Sequence, residues 1–488
     1  MSTAEHNIRF LLDGQVITAE DPPATRTLLQ FLREDLGRCA TKEGCAEGDC
    51  GACTVLLGEP TTAGEIHFRP INACIRFLAS VDGREVVTAE SLAQPDGRLH
   101  PVQQAMVDCH GSQCGFCTPG FVMSLFGLWL REASPRRDEV LEALSGNLCR
   151  CTGYRPIIDA ALRMGTLPEP LHWRRSDARY PGRAQALRAL DRPEALRRQG
   201  WFAPQTLDEL ADALLAEPDA LLLAGGTDIA LWSNKQLRQL PTMVWLGEVK
   251  DLRTIRSDES ELEIGAGANL DDAYRAIVHH WPALTELGLR FASPPVRHSG
   301  TFCGNIGNGS PIGDSMPWLL ALGAELRLRR GSSERSLSLD QFYLGYRKNA
   351  LEPGEFIRSV RIPLPTRGQR LRCYKISRRF EQDISAVCIA TSIVLAEGQI
   401  AQARIGVGGM AATPARAHHA ERTLIGRRFE RAAFEAAANA LDADFAPLTD
   451  HRASSDYRKR VAANMMLRFW LEEGEHRQPV RVEEVDPA

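Results

Sequence analysis

Thirteen cysteines stand in this chain of 488 residues, and ten of them lie between Cys39 and Cys151. Thiols crowded in this way, with no secretory signal ahead of them, point to metal binding rather than to a disulfide framework. Cys45, Cys50 and Cys53 follow the spacing C-x4-C-x2-C, and Cys74 completes a set of four. That is the plant-type ligand spacing for one [2Fe–2S] cluster, whose two irons take four thiolates. Gly44, Gly48 and Gly51 let the loop fold tightly and aim backbone N–H groups at the sulfurs. The alternative is a structural zinc knot, although zinc ligands usually pair as C-x2-C twice.

Cys114-Gly-Phe-Cys117 and Cys149-Arg-Cys151 make a second set of four. By itself this set fits zinc as well as a cluster. Both pairs, however, precede expected helix starts, Cys117-Thr118-Pro119 and Cys151-Thr152-Gly153, with each threonine expected as the cap. Unpaired N–H groups and the positive end of a helix stabilise the extra negative charge of a reduced cluster, and redox-inactive zinc has no use for that. The other five, Cys39, Cys109, Cys303, Cys373 and Cys388, are expected to be small buried hydrophobes.

The elements that must position these thiols begin at Ile8–Leu12 and Gln15–Thr18, two expected strands around the hairpin pair Asp13-Gly14. A helix follows on Leu28, Leu29, Leu32 and Leu36, stopped by Gly37. From Ser91 to Gly165 apolar residues recur at helical spacing, among them Phe121, Val122, Leu125, Leu128 and Trp129, then Val140, Leu141 and Leu144. Residues 166–200 are rich in Arg, Pro and Ala, for example Arg174-Arg175, and read as a linker. An α/β region opens at Trp201, with strands expected at Leu221–Leu223 and Glu261–Ile264. A last segment carries a strand at Ile389–Leu395 and a helix around Arg431–Leu441. The expected modules are therefore 1–86, 87–165, 201–370 and 371–480, with the linker between the second and third.

Composition agrees with a multidomain protein in aqueous surroundings: 44% hydrophobic and 25% charged residues with a formal net charge of −4, which asks for neither nucleic acid nor an acidic membrane as partner. The start Met1–Phe10 carries no secretory pattern, and the apolar run Phe121–Leu130 is about half of what a bilayer crossing requires. A cytoplasmic location is expected.

Leu221-Leu-Leu-Ala-Gly-Gly-Thr-Asp-Ile229 reads as a strand, a Gly-Gly turn and a helix, in which backbone amides can approach a pyrophosphate. A plain strand–turn–helix is the competing reading of this loop alone. Gly300–Ser310, followed by Asp314, is a second loop of glycines and short polar residues. No G-x-G-x-x-G fingerprint and no P-loop occurs, so a Rossmann domain and a nucleotide triphosphatase are not implied.

With Gln113-Cys-Gly-Phe-Cys-Thr-Pro-Gly120 and Gly146-Asn-Leu-Cys-Arg-Cys-Thr-Gly-Tyr-Arg-Pro156 in this order, the chain resembles the molybdenum hydroxylase family, and within it the small subunits of bacterial xanthine dehydrogenases. The resemblance implies an α+β multidomain fold. A β-grasp ferredoxin domain would hold an outer cluster on Cys45, Cys50, Cys53 and Cys74, and a four-helix domain an inner cluster on Cys114, Cys117, Cys149 and Cys151. An FAD domain similar to that of vanillyl-alcohol oxidase and a C-terminal α+β domain would follow. Flavin contacts are implied for Leu222, Leu223, Ala224, Gly225, Gly226, Thr227, Asp228 and Ile229, and for Phe291, Thr301, Gly304, Asn305, Asn308, Asp314, Ile357 and Lys375. Tyr346-Arg-Lys348 resembles the segment near the nicotinamide site and Arg378–Asp383 the loop that shapes access to the flavin; a solvated charged face is the bland reading of both. Electrons would run from a molybdenum–pterin partner subunit that hydroxylates hypoxanthine and xanthine, through two [2Fe–2S] clusters to FAD and NAD. The partner would carry the catalytic site, with two copies of each subunit. The alternatives are a relay subunit for an aldehyde, carbon monoxide or aromatic substrate, and a zinc-stabilised scaffold.

Overall fold

The structure is a computed structural model that describes residues 6–61, 64–173 and 181–474. Arg174-Arg175 of the expected linker, the first five residues and the end of the expected last module lie outside the described residues. By its internal contacts the chain divides into two compact units: residues 1–250 with 269–271 and 292–301, and residues 251–268 with 272–291 and 302–488.

The first unit is built on a five-stranded sheet of β1 (Ile8–Leu12), β2 (Gln15–Ala19), β3 (Thr54–Pro60), β4 (Ile66–Asn72) and β5 (Glu85–Val87), in the order β2-β1-β5-β3-β4. The hairpin forms across Asp13-Gly14 as expected, with Leu12 opposite Gln15. Strands β1, β3 and β5 read as apolar runs because both faces are covered, whereas the edge strand β2 is largely exposed. Phe10, Leu12, Val55, Leu57 and Val86 share one core with Leu28 and Leu32, whereas Leu11, Leu56 and Val87 join Phe121, Phe126 and Trp129 in another. With a side-chain period of two, a buried strand serves two cores at once. The second core holds α1 (Pro101–Asp108), α2 (Thr118–Arg131), α3 (Arg137–Leu144) and α4 (Arg155–Met164).

The stretch read as a linker is largely structured. Residues 181–188 form a helix, and Ala184, Leu187 and Leu190 are buried in the helical core beside Trp173. Its apolar residues are few but fall on one side, so composition concealed them. Leu196–Arg198 pairs with Trp201–Ala203 in a four-stranded sheet that also contains Leu221–Leu223 and Met243–Trp245. Trp201, Leu223 and Trp245 pack into the core of Phe10 and Leu28, which is why residues 201–250 group with the cysteine-rich region and not with the second unit.

The second unit contains a five-stranded sheet, Ile255–Ser257, Glu261–Gly265, Phe356–Pro363, Glu325–Arg330 and Ser333–Ser338 in that order. It also contains a four-stranded sheet of Gln369–Ile376, Val387–Ala396, Gln399–Gly408 and Ala415–Arg416. Helices Arg431–Asp444 and Ser455–Glu473 cover the latter through Phe434, Leu441, Met466 and Phe469. The second of these helices has only a weak apolar stripe and was not expected from the sequence. No described helix is long and apolar enough to cross a membrane.

One buried acid in the first sheet makes stability depend on pH. Burial of Glu85 raises its carboxyl to about 7, against the lowering effect of Arg183 at 2.7 Å, with Asp13 adding to the rise. Between about 4.5 and 7 the folded chain holds a proton that the unfolded chain has lost, so stability falls as pH rises through that window, by an amount on the order of 3 kcal/mol. Glu85→Gln is expected to flatten the melting temperature between pH 5 and 7; an unchanged slope would show that Glu85 is ionised throughout.

Candidate metal and flavin sites

Cys45 and Cys50 lie in the loop ahead of β3, Cys53 at its end and Cys74 just after β4, so the sheet fixes the two ends of the set. Cys53 and Cys74 are buried, whereas Cys45 and Cys50 are half-buried. The thiol of Cys50, then that of Cys74, draws Cys45 far below the ordinary thiol range, and Cys50 and Cys74 are pushed up in return. Cys74 likewise lowers Cys53. The backbone N–H of Cys50 donates to Cys45 Sγ at 3.4 Å, and the amides of Ala52 and Cys74 donate to Cys50 and Cys53. These are the amide-to-sulfur contacts expected of the glycine-rich loop.

In the second set, Cys151 Sγ lies 3.7 Å from Cys114 Sγ. Cys117 is pushed up to about 12 by burial and by neighbouring Cys149. Burial raises Cys149 too, but the side chain and amide of Thr152 outweigh it and leave that thiol below its usual value. Cys114 and Cys151 are exposed. The two expected threonine caps are not formed. The cap position of α2 is Cys117 itself, and α4 begins only at Arg155 after Tyr154. The Thr152 hydroxyl instead lies 3.2 Å from Cys149 Sγ and accepts from the Tyr154 amide, so sulfur and loop take the group that a helix start would have used.

Among the described residues no three Cys, His, Asp or Glu side chains surround a single metal-ion position. In the first set the contacts run from Cys50 through Cys45 and Cys74 to Cys53, and in the second Cys114 meets Cys151 and Cys117 meets Cys149. Cys303 and Cys388 are buried as expected of small apolar residues, but Cys39 is exposed and Cys109 and Cys373 are half-buried.

The two loops fit into each other. The Leu148 amide donates to the Cys50 carbonyl at 3.0 Å, one peptide from Cys149. Buried Asn147 donates from Nδ2 to Gly51 O at 3.1 Å, and its Oδ1 accepts from Ser124 Oγ at 2.6 Å. Gly51 sits at φ +70°, and a Cβ there would meet Gly146 O at 2.1 Å. No other residue permits this approach.

Flavin positions implied by the sequence fall in both units. In the first, Leu221–Leu223 leads through Gly225-Gly226 to helix Ile229–Asn234. A Cβ on Gly225 would lie 2.1 Å from Ser299 O, so the loop is pressed against residues 299–300, the start of the second glycine-rich stretch. Asn234 Nδ2 then donates to Cys74 O at 2.8 Å, and Lys235 Nζ to Cys45 O at 3.0 Å. Sequence reading missed both residues, since neither belongs to a motif.

In the second unit, Lys375 and Asp314 form a buried pair at 2.7 Å. Ser385 Oγ donates to Asp314 at 2.5 Å, and Lys375 also donates to Arg290 O. Phe291 packs on Tyr274 with ring centres 5.4 Å apart, and Ile357 is buried. Asn305 Oδ1 is buried without a hydrogen-bond partner, an acceptor position that a polar ligand would satisfy. Tyr346 is exposed on a hairpin, and Asp383 accepts from the amides of Arg378 and Arg379, which makes that charged loop self-satisfied.

Four family descriptions match consecutive parts of the chain. They are a 2Fe-2S iron-sulfur cluster binding domain over residues 10–77 and a [2Fe-2S] binding domain over 88–162. Then come an FAD binding domain in molybdopterin dehydrogenase over 195–365 and a CO dehydrogenase flavoprotein C-terminal domain over 372–473. A xanthine dehydrogenase of Emericella nidulans is 32% identical over 96% of this chain and 38% of its own length. The chain thus spans about two fifths of the curated relatives it matches. Among solved structures, a carbon monoxide dehydrogenase chain from Hydrogenophaga pseudoflava aligns with TM-score 0.52 and 30% identity, over 55% of this chain and 94% of that one. A quinoline 2-oxidoreductase chain from Pseudomonas putida 86 aligns with TM-score 0.50 and 25% identity, over 56% and 96%.

Two substitutions test these sites as packing. Asn147→Ala removes the acceptor of the buried Ser124 hydroxyl and one of the three donors to the Gly51 carbonyl, which keeps those of Thr54, and is expected to cost about 1–3 kcal/mol in denaturant unfolding. Lys375→Met strands the Asp314 charge and should cost about 3–5 kcal/mol, most of it recovered by adding Asp314→Asn. Failure of the second change to rescue would mean that the pair is not what holds this site.

Proposed function

Because the chain belongs to the molybdenum hydroxylase family and carries its two 2Fe-2S domains and its FAD-binding domain, we propose that it is the electron-relay subunit of a xanthine dehydrogenase. In this reading it serves a molybdenum–pterin subunit that hydroxylates hypoxanthine and xanthine, with two copies of each subunit in the assembly and NAD as acceptor. The carrying observation is the connected order of the sites. The second cysteine set meets the first through Leu148 N–H and Cys50 O, and the first meets the helix after Gly225-Gly226 through Asn234.

The donor sets fit their groups. Each set offers four thiols in contacting pairs, and such thiols ionise together only around a cation. Cys45, Cys50, Cys53 and Cys74, in a β-grasp domain, would hold the outer cluster, and Cys114, Cys117, Cys149 and Cys151, in a four-helix domain, the inner one. Leu222–Ile229, Phe291, Thr301, Gly304, Asn305, Asn308, Asp314, Ile357 and Lys375 would hold FAD in a vanillyl-alcohol-oxidase-type domain. When bound, the clusters pass electrons singly and the flavin collects two for hydride transfer to NAD. The chain itself supplies amide donors to the sulfurs, burial of Cys53 and Cys74, and the packing that keeps water from them. Exposed Cys114 and Cys151 lie beside Phe116 and Leu148, which are 47% and 41% exposed. An apolar rim of this kind suits the partner's docking surface.

The xanthine dehydrogenase matches over 96% of this chain, whereas the carbon monoxide dehydrogenase chain, matched over 94% of its own length, spans only 55% of it; the iron–sulfur and flavin domains joined in one chain are what favours a purine substrate for the partner. Anaerobically purified protein is expected to show the visible absorption, iron and sulfide of two [2Fe–2S] clusters and one FAD. Cys151→Ser should remove one cluster signal and leave the other. Colourless, iron-free protein would end the reading. Xanthine-dependent NAD reduction after reconstitution with the molybdenum subunit tests substrate and acceptor, and turnover only with an aldehyde-oxidising partner would reassign the substrate.

A further inference from the structure

Helix Ile229–Asn234, which follows the Gly225-Gly226 loop, ends against the first cysteine loop. Asn234 Nδ2 donates to Cys74 O at 2.8 Å and reaches Ala46 O at 3.4 Å, so one amide ties the two ends of that loop together. The next residue, Lys235, donates to Cys45 O at 3.0 Å and stands 3.6 Å from Glu47. At the other end of this short segment, a Cβ on Gly226 would lie 3.5 Å from Ile75 O, so the glycine loop rests on the residue after Cys74. A cavity of about 330 Å³ lined by Arg26, Ala46, Cys74 and Asn234 opens beside this contact.

We propose that Asn234, assisted by Lys235, is a positioning residue for the outer cluster: it fixes the carbonyl of Cys74 while Lys235 fixes that of Cys45, raises that cluster's reduction potential, and holds the flavin loop against it. The inference rests on the relay function proposed for the chain. Donors and positive charge turned toward a cluster favour its reduced, more negative form, and these second-sphere groups tune potential without touching iron. Lys235 is 44% exposed and faces Glu47, so solvent and that carboxylate damp its charge. The half-buried amide of Asn234 therefore carries the larger local effect. An outer cluster made easier to reduce draws electrons from the inner one toward the flavin side.

The test is an EPR-monitored redox titration of the intact protein, with iron and flavin contents measured alongside. Asn234→Leu keeps the side-chain volume, admits no water and removes the donor; Lys235→Met removes the ammonium. Each is expected to lower the outer cluster's potential, the first by more, with the inner cluster's potential and the iron content unchanged. Unshifted potentials in both variants at full iron content overturn the proposal, as does an equal shift of both clusters. If Asn234→Leu loses its outer cluster, Lys235→Met decides alone: a lowered potential supports the proposal and an unchanged one overturns it. Wild-type protein without either cluster overturns the relay reading, and the inference falls with it.

Discussion

Thiols packed within contact distance repel one another once ionised, and the surroundings of both cysteine sets are arranged about that repulsion. In the first set Cys45 is driven toward the thiolate while Cys50 and Cys74 are driven away from it. The protons are shared because four neighbouring negative charges cannot be carried without a cation. Amide donors relieve part of the charge, and a metal centre relieves the rest. The first loop therefore turns backbone N–H groups to the sulfurs, joined by the side-chain amide of Asn72 at Cys53, and that demands glycine at the positions where backbone approaches backbone.

From this constraint comes the seam between the two loops. Gly51 O accepts from Asn147, Leu148 donates to Cys50 O, and no Cβ fits at Gly51. A seam this tight needs rigid supports on both sides. The sheet supplies one, since its strands β1, β3 and β5 are buried on both faces, and α2 supplies the other by placing Ser124 against Asn147. The apolar runs IRFLL and TVLL, which by themselves look merely hydrophobic, are thus the reason that both cysteine loops are held by one framework.

The two cysteine sets stand out in the sequence because the chemistry they were read for forces residue type and spacing together: only cysteine serves, and the loop length is limited by the span of the site. The hairpin at Asp13-Gly14 and the buried strands were legible for a similar local reason. What spacing could not give was anything settled by tertiary contact. Thr118 and Thr152 have the right type for caps, yet Cys117 takes the first cap position and Thr152 turns to sulfur. Helix 181–188 hid in an Arg- and Ala-rich stretch because three buried residues suffice to anchor it. Cys39 is exposed because nothing in its neighbourhood requires its small volume, and cysteine content alone says nothing of place.

The grouping of residues 201–250 with the cysteine-rich unit has the same origin. Trp201 and Trp245 are large aromatic side chains that a four-stranded sheet of three-residue strands cannot bury by itself. They find cover against Phe77 and the core of the first sheet, with the rings of Phe77 and Trp201 6.4 Å apart and edge to face. This apolar contact, rather than a dedicated polar motif, brings the Gly225-Gly226 loop beside Ile75 and lets Asn234 reach Cys74. A hydrophobic economy made at the level of the core thereby sets the spacing between the first cysteine loop and the segment after the Gly225-Gly226 turn. Substitutions at Trp201 or Trp245 are therefore expected to act on that spacing although neither residue belongs to a cysteine loop.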